Sequence, residues 1–154
     1  MNQAAVNSIF NIQNATGSQG NDMLVGDANA NILTGGIRRN VIIGGAGSDT
    51  ITGGSGDDIL IGGTTIWDSN MTALQAIMQE WTNMNLRFDA RVNSLRRGIV
   101  VNNVTYALSR NTVMADSSPD NLFGGGGQNW FFFDFDDVIN GGAGPGTNDR
   151  ANRV

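Results

Sequence analysis

Asp49 and Asp58 stand nine residues apart in the stretch GGAGSDTITGGSGDDILIGG, each closing a glycine-rich hexad and each followed two places later by an aliphatic residue, Ile51 or Leu60. Carboxylates repeated at a fixed interval serve either as proton-transfer groups or as cation ligands. Asp57 adjoins Asp58, and Asp136 adjoins Asp137. Such neighbours on one turn do not flank a scissile bond as a glycosidase pair must, and cation binding explains them better. The composition points the same way. The chain has no Cys and no His, which excludes disulfides, thiol catalysis, the usual zinc sites and a Ser-His-Asp relay. All nine basic residues are Arg, so the Lys of a P-loop or a Schiff base is missing, and Glu80 is the one acid that is not Asp. A net charge of −5 disfavours nucleic acid or an anionic membrane as partner. No apolar run reaches spanning length, and MNQAAVNSIFNIQNATG lacks the regions of a cleavable signal peptide. DANAN at 27 to 31 imitates the start of an EF-hand loop, but Ile32 stands where its Gly belongs and Arg38 where its bidentate Glu belongs.

The elements that position these acids follow from a nine-residue period over 17 to 63. Five units align: GSQGNDMLV, GDANANILT, GGIRRNVII, GGAGSDTIT and GGSGDDILI. The eighth place is Leu24, Leu33, Ile42, Ile51 and Leu60, and the sixth is Asp22, Asn31, Asn40, Asp49 and Asp58. Each unit is therefore a six-residue turn, with glycines supplying positive φ, followed by a three-residue strand whose middle residue points inward. Turns alternating sides make a coil of two units, and turns on one side then stack at the strand spacing of about 4.8 Å. One buried aliphatic per unit is little to set against the ordering of nine backbones. Two carboxylates at that spacing add repulsion of about 1 kcal/mol in water, rising to roughly 3–4 kcal/mol at an effective dielectric of 20. Calcium is the ion that suits such a turn, since it takes six to eight oxygens in irregular geometry from carboxylates and bare carbonyls.

GGAGSDTIT and GGSGDDILI resemble the nonapeptide of the RTX (repeats-in-toxin) family. The resemblance implies a mainly β, right-handed parallel β-roll with calcium in its turns. It implies ligation by Asp49 and Asp58, by carbonyls around Gly45, Gly47, Gly54 and Gly56, and by Asp22. Stacking puts Asp22, Asn40 and Asp58 on one side and Asn31 and Asp49 on the other, so each stacked pair of the first array offers one carboxylate and one amide oxygen. Half the charge per site means weak calcium dependence. Asp57 joins the cation-binding candidates as the acid beside Asp58. Arg38 and Arg39 fall in a turn between acidic ones, where a guanidinium either replaces an ion or is simply solvated.

Residues 64 to 114 change character. Trp67, Met71, Leu74, Ile77, Met78 and Trp81 share a helical face, with Asp68, Ser69 or Asn70 as N-cap, and the spacing predicts a helix over 69–82. A second helix ends at Gly98, and IVVNNVTYAL reads as two strands about an Asn-Asn turn. This hairpin insert is expected to cap the open end of the roll. Beyond it, Asp120, Asn129 and Asp137 precede Leu122, Phe131 and Ile139 in a poorer second array whose last spacing is eight. The missing residue is expected in a turn, because a slip in a strand would reverse its faces.

The chain thus divides into a cap strand (1–16), the roll (17–63), the insert (64–114) and a degenerate second roll segment with a tail (115–154). Charge runs from −3 over 1–67, through +2 over 68–110, to −4 over 111–154, a pattern that reads either as a solvated basic helix face or as favouring head-to-tail self-association. The expectation is an extracellular, non-enzymatic calcium-binding protein with a structural, self-assembling role in a surface layer, adhesin or filament. The alternative is a folding and secretion module of a larger protein. The RTX resemblance implies type I secretion, with FFFDFDDVINGGAGPGTNDRANRV as the candidate signal.

Overall fold

Strands of three residues cannot stand alone and are stable only when stacked. The computed structural model describes residues 8–10, 13–140 and 150–154; much of the expected cap strand and residues 141–149 of the secretion-signal candidate lie outside them. The chain winds between two parallel sheets. The first holds β1 (Ser8–Phe10), β3 (Met23–Val25), β5 (Val41–Ile43), β7 (Ile59–Ile61), β13 (Trp130–Phe133) and β15 (Arg150–Arg153), in that order. The second holds β2 (Asn14–Thr16), β4 (Ile32–Gly36), β6 (Thr50–Gly54), β12 (Asn121–Gly125) and β14 (Val138–Asn140). Leu24 pairs with Ile42 and Leu33 with Ile51, so one coil takes two nonapeptides.

The ladder does not stop at the insert. Ile51 pairs with Leu122 and Leu60 with Phe131, so the second array is the next coil of the same roll. Leu122 then pairs with Ile139, which keeps the strands in phase and puts the missing residue in the turn before β14. Eighth-place side chains from both arrays, including Leu33, Ile42, Ile51, Leu60, Leu122 and Phe131, fill the narrow interior.

The insert leaves the corner after β7 and returns through a two-stranded stem, β8 (Thr64–Thr65) against β11 (Val113–Met114). Within it, α1 (Met71–Trp81) is N-capped by Asn70, whose side chain accepts from the Ala73 N–H. Helix α2 (Phe88–Arg97) ends on Gly98 at φ 92°. Strands β9 (Ile99–Val101) and β10 (Val104–Tyr106) pair antiparallel about Asn102 and Asn103, both with positive φ, as a tight two-residue hairpin requires.

The helices do not cap the end of the roll. They cover the outer face of its first sheet, where Leu74, Ile77, Trp81, Phe88, Val92 and Leu95 join a core with Met23, Val41, Ile59, Trp130 and Phe132. The cause lies in the seventh and ninth places. In the first sheet the triplets MLV, VII, ILI and WFF are apolar throughout, whereas ILT, TIT, NLF and VIN in the second each carry at least one polar residue in an outer place. A strand apolar on both faces must be covered on both, and burying each large side chain contributes about 1.5–3 kcal/mol. The second sheet keeps its outer face open, with Ile32 58% exposed.

Candidate metal centre

From Asn40 onward, each sixth-place side chain uses one oxygen to hold the coil before it. On the side entering the first sheet, Asn40 Oδ1 accepts the Asp22 N–H at 2.9 Å, Asp58 Oδ1 the Asn40 N–H at 2.7 Å, and Asn129 Oδ1 the Asp58 N–H at 3.0 Å. On the side entering the second sheet, Asp49 Oδ1 accepts from Asn31 at 2.8 Å, Asp120 Oδ1 from Asp49 at 2.7 Å, and Asp137 Oδ1 from Asp120 at 2.9 Å. These bonds explain why the sixth place wants a short side chain ending in oxygen. They spend only one of the two carboxylate oxygens.

The other oxygens distinguish the sites. Oδ2 of Asp49, Asp58 and Asp120 is buried with no hydrogen-bond partner. A Cβ placed on Gly53 would lie 2.5 Å from Asp58 Oδ2 and 2.7 Å from the Gly124 carbonyl oxygen, so acceptor faces acceptor with no proton between them. A Cβ on Gly44 would collide with both Asp49 Oδ2 and the Gly62 carbonyl. Convergent oxygens without a donor, in a cradle that only glycine leaves open, fit a hard cation. Burial, the larger cause, together with like charges nearby pushes the Asp49 and Asp58 carboxyls up to about 7 and Asp120 up to about 8. Asp27, Asp116 and Asp137 crowd Asp49, Asp57 crowds Asp58, and Asp49, Asp116 and Asp137 crowd Asp120. A bound divalent ion would reverse that penalty.

The other predicted residues are placed as follows. Gly45 and Gly54 lie at φ 106° and 118°, and a side chain on either would strike the backbone of the previous coil at Asp27 or Gly36. Gly47 and Gly56 pack as closely on Asn29 and Arg38. Asp22 is answered locally: Oδ2 accepts from the Ser18 N–H at 2.7 Å and Oδ1 from the Ser18 hydroxyl at 3.0 Å. Asn31 Oδ1 accepts the Asp27 N–H, and Asn40 Nδ2 donates to the Arg38 carbonyl and to Asp58 Oδ1. Asp57 turns to the insert, pairing with Arg91 and Arg39 and accepting from the Gln128 N–H. Arg91 itself is buried, donates to the Trp81 carbonyl and lies 4.6 Å over the Trp81 ring. Arg38 reaches the Gln19 carbonyl from the surface.

One expectation needs correction. The pairing of one carboxylate with one amide holds on the Asp22–Asn40–Asp58–Asn129 side, but the other side continues through the second array as Asn31–Asp49–Asp120–Asp137. Three carboxylates therefore stack in succession, and the charge there is not halved. Asp120 and Asp137 already stood at sixth places in the sequence. What was needed to place them over Asp49 was knowing that the insert is extruded at a corner.

A family model described as the RTX calcium-binding nonapeptide repeat matches in four copies over residues 16–37, 34–64 and 109–136, together half of the 154 residues. No curated protein and no solved structure matches the chain. The third matched segment falls on the far side of the insert, where the same ladder resumes, and RTX repeats bind calcium. With the eighteen-residue coil, the glycine corners and the stacked carboxylates all in place, the chain belongs to the RTX family of calcium-binding nonapeptide-repeat proteins.

Proposed function

We propose that this protein is an extracellular β-roll whose folding is completed by calcium, acting as the folding module of an exported protein rather than as an enzyme. One observation carries the reading: Asp49, Asp58 and Asp120 each bury a carboxylate oxygen that has no partner. Without a cation these groups oppose folding, and with one they drive it, so the calcium concentration around the chain decides its state. Sites built from one or two carboxylates plus carbonyls belong to the weaker calcium classes, which suits a calcium-rich medium outside the cell and a less stable, incompletely folded chain inside it. Passage through type I secretion machinery is consistent with that order of events. The test is circular dichroism with sedimentation of the full chain in chelator and in millimolar calcium. Calcium-induced sheet formation as a monomer is expected, and a chain equally folded in both media would refute it.

A structural, self-assembling role is a second reading, favoured by the bare outer face of the second sheet, where Ile32, Phe123 and Val138 are exposed. Large calcium-dependent species in the same sedimentation experiment would select it.

A further inference from the structure

One turn of the roll departs from the glycine pattern of the others. Between β13 and β14 it reads DFDD, without glycine, and one carboxylate oxygen from each of Asp134, Asp136 and Asp137 lies within 4.8 Å of the others. Acidic clusters on a surface are common, but a second observation comes from the coil beneath. Asp120 is 1% exposed, and its Oδ2 is buried without a partner. It lies beside Asp137 of this cluster: a Cβ on Gly62 would lie 2.5 Å from Asp120 Oδ2 and 3.0 Å from Asp137 Oδ2. At Gly53 the equivalent second oxygen is the neutral carbonyl of Gly124. Here a carboxylate has taken the place of that carbonyl.

The local hydrogen bonds do not satisfy the cluster. Asp137 accepts the N–H groups of Asp120 and Asp134, and Asp134 accepts those of Ser117 and Asp136. Asp136 Oδ1 stays buried without a partner. No cationic side chain enters: among the described residues the ion pairs are Arg39 and Arg91 with Asp57, and Arg150 with Asp89.

We infer that Asp120, Asp134, Asp136 and Asp137 form a further calcium site at the glycine-free turn between β13 and β14. The ligands are all hard oxygen donors in no fixed octahedral arrangement, which favours calcium over magnesium, whose octahedral demands are strict. Three carboxylates cluster in this turn with Asp120 beside Asp137, against one or two in a glycine turn, and calcium affinity rises with ligand charge. This site therefore fills first in a titration. Its ion joins the turn in which the chain returns from the insert to the DFDD turn, fastening β14 to β12. The inference rests on the calcium reading above.

The experiment is calorimetric titration of calcium into chelator-stripped full-length protein, comparing the wild type with Asp134→Asn/Asp136→Asn. The double variant should lose one calcium equivalent, the tightest, while the remaining equivalents keep their affinity within about twofold. Unchanged stoichiometry with an unchanged tightest site overturns the inference. If the double variant fails to fold, Asp136→Asn alone, at a partly exposed position, carries the test, and a tenfold weakening of the first equivalent is expected. An unaltered first equivalent in that variant again overturns the site. A wild type that binds no calcium overturns the calcium reading as well, whereas a calcium-binding wild type matched by its variants overturns this site alone.

Discussion

Replacing Asp58 with Asn should change the sign of its effect with calcium. In the metal-free protein Asp58 Oδ2 has no partner and faces the Gly124 carbonyl, and at pH 8, above its raised pKa of about 7, the group is charged. Asn40, one coil earlier in the same stack, shows the metal-free alternative: its amide donates to the Arg38 carbonyl at 2.8 Å and to the Gly53 carbonyl at 3.4 Å. Asn at position 58 keeps the Oδ1 that holds the Asn40 N–H and turns a donor toward Gly124. Removing a buried unsatisfied acceptor is worth about 1–3 kcal/mol, and in a chain of this size each kcal/mol moves Tm by about 2–4 °C. Asp58→Asn should therefore melt roughly 2–12 °C above wild type in chelator. In calcium at a hundredfold excess over Kd, one site adds about 2.7 kcal/mol, which the variant forfeits. Its calcium-induced rise in Tm should be smaller by about 5–11 °C. Thermal melts followed by circular dichroism at pH 8, in EGTA and in calcium chloride, measure both numbers. A variant that melts below wild type in EGTA, or that keeps the whole calcium increment, would refute the reasoning.

The raised carboxyls of Asp49, Asp58 and Asp120, at about 7, 7 and 8, make metal-free stability depend on pH. Each contributes fully below the unfolded carboxyl range near pH 4 and loses that contribution as pH rises through 7 to 8. Tm in EGTA should fall between pH 5 and 8.5, and the stabilisation by calcium should grow over the same window; a rising Tm in EGTA contradicts it. Gly54→Ala forces a side chain at φ 118° into the Gly36 carbonyl and should cost about 3 kcal/mol or more in urea unfolding. Gly126→Ala, with its nearest neighbour at 3.4 Å, should stay within about 1 kcal/mol, and equal costs would deny the close stacking of coils. Arg91→Met removes the buried partner of Asp57 and the donor to Trp81. It should destabilise the protein by about 3–5 kcal/mol, with Arg91→Lys restoring only part because it lacks the planar fork; a neutral Arg91→Met would show that the insert docks without this latch.

The period of Leu24, Leu33, Ile42, Ile51 and Leu60 made the coil legible, because one inward residue per short strand leaves no other register. The helices were legible from the faces of Trp81 and Leu95, and the tight turn from Asn102 and Asn103. Where the helices dock was less visible, since attention to the eighth place hides what the seventh and ninth do. Met23 with Val25 and Ile59 with Ile61 recur only in alternate units, and that doubled period marks the sheet needing cover. The stack of Asp49, Asp120 and Asp137 was hidden because spacing along the chain across an insert says nothing about height along a roll. The engagement of Asp22 by Ser18 and of Asp57 by Arg91 depends on side-chain reach, which a repeat pattern does not encode.

The Thr64–Thr65 and Val113–Met114 stem opens from a corner rather than from a strand. A residue gained or lost inside a strand would exchange interior for exterior along the rest of it, but a corner carries no parity. The excursion can lengthen, shorten or be exchanged for another without putting Leu122 or Phe131 out of step with Ile51 and Leu60. Only its docked helical face is constrained, which makes that corner the place where such a protein can diversify while its scaffold stays the same.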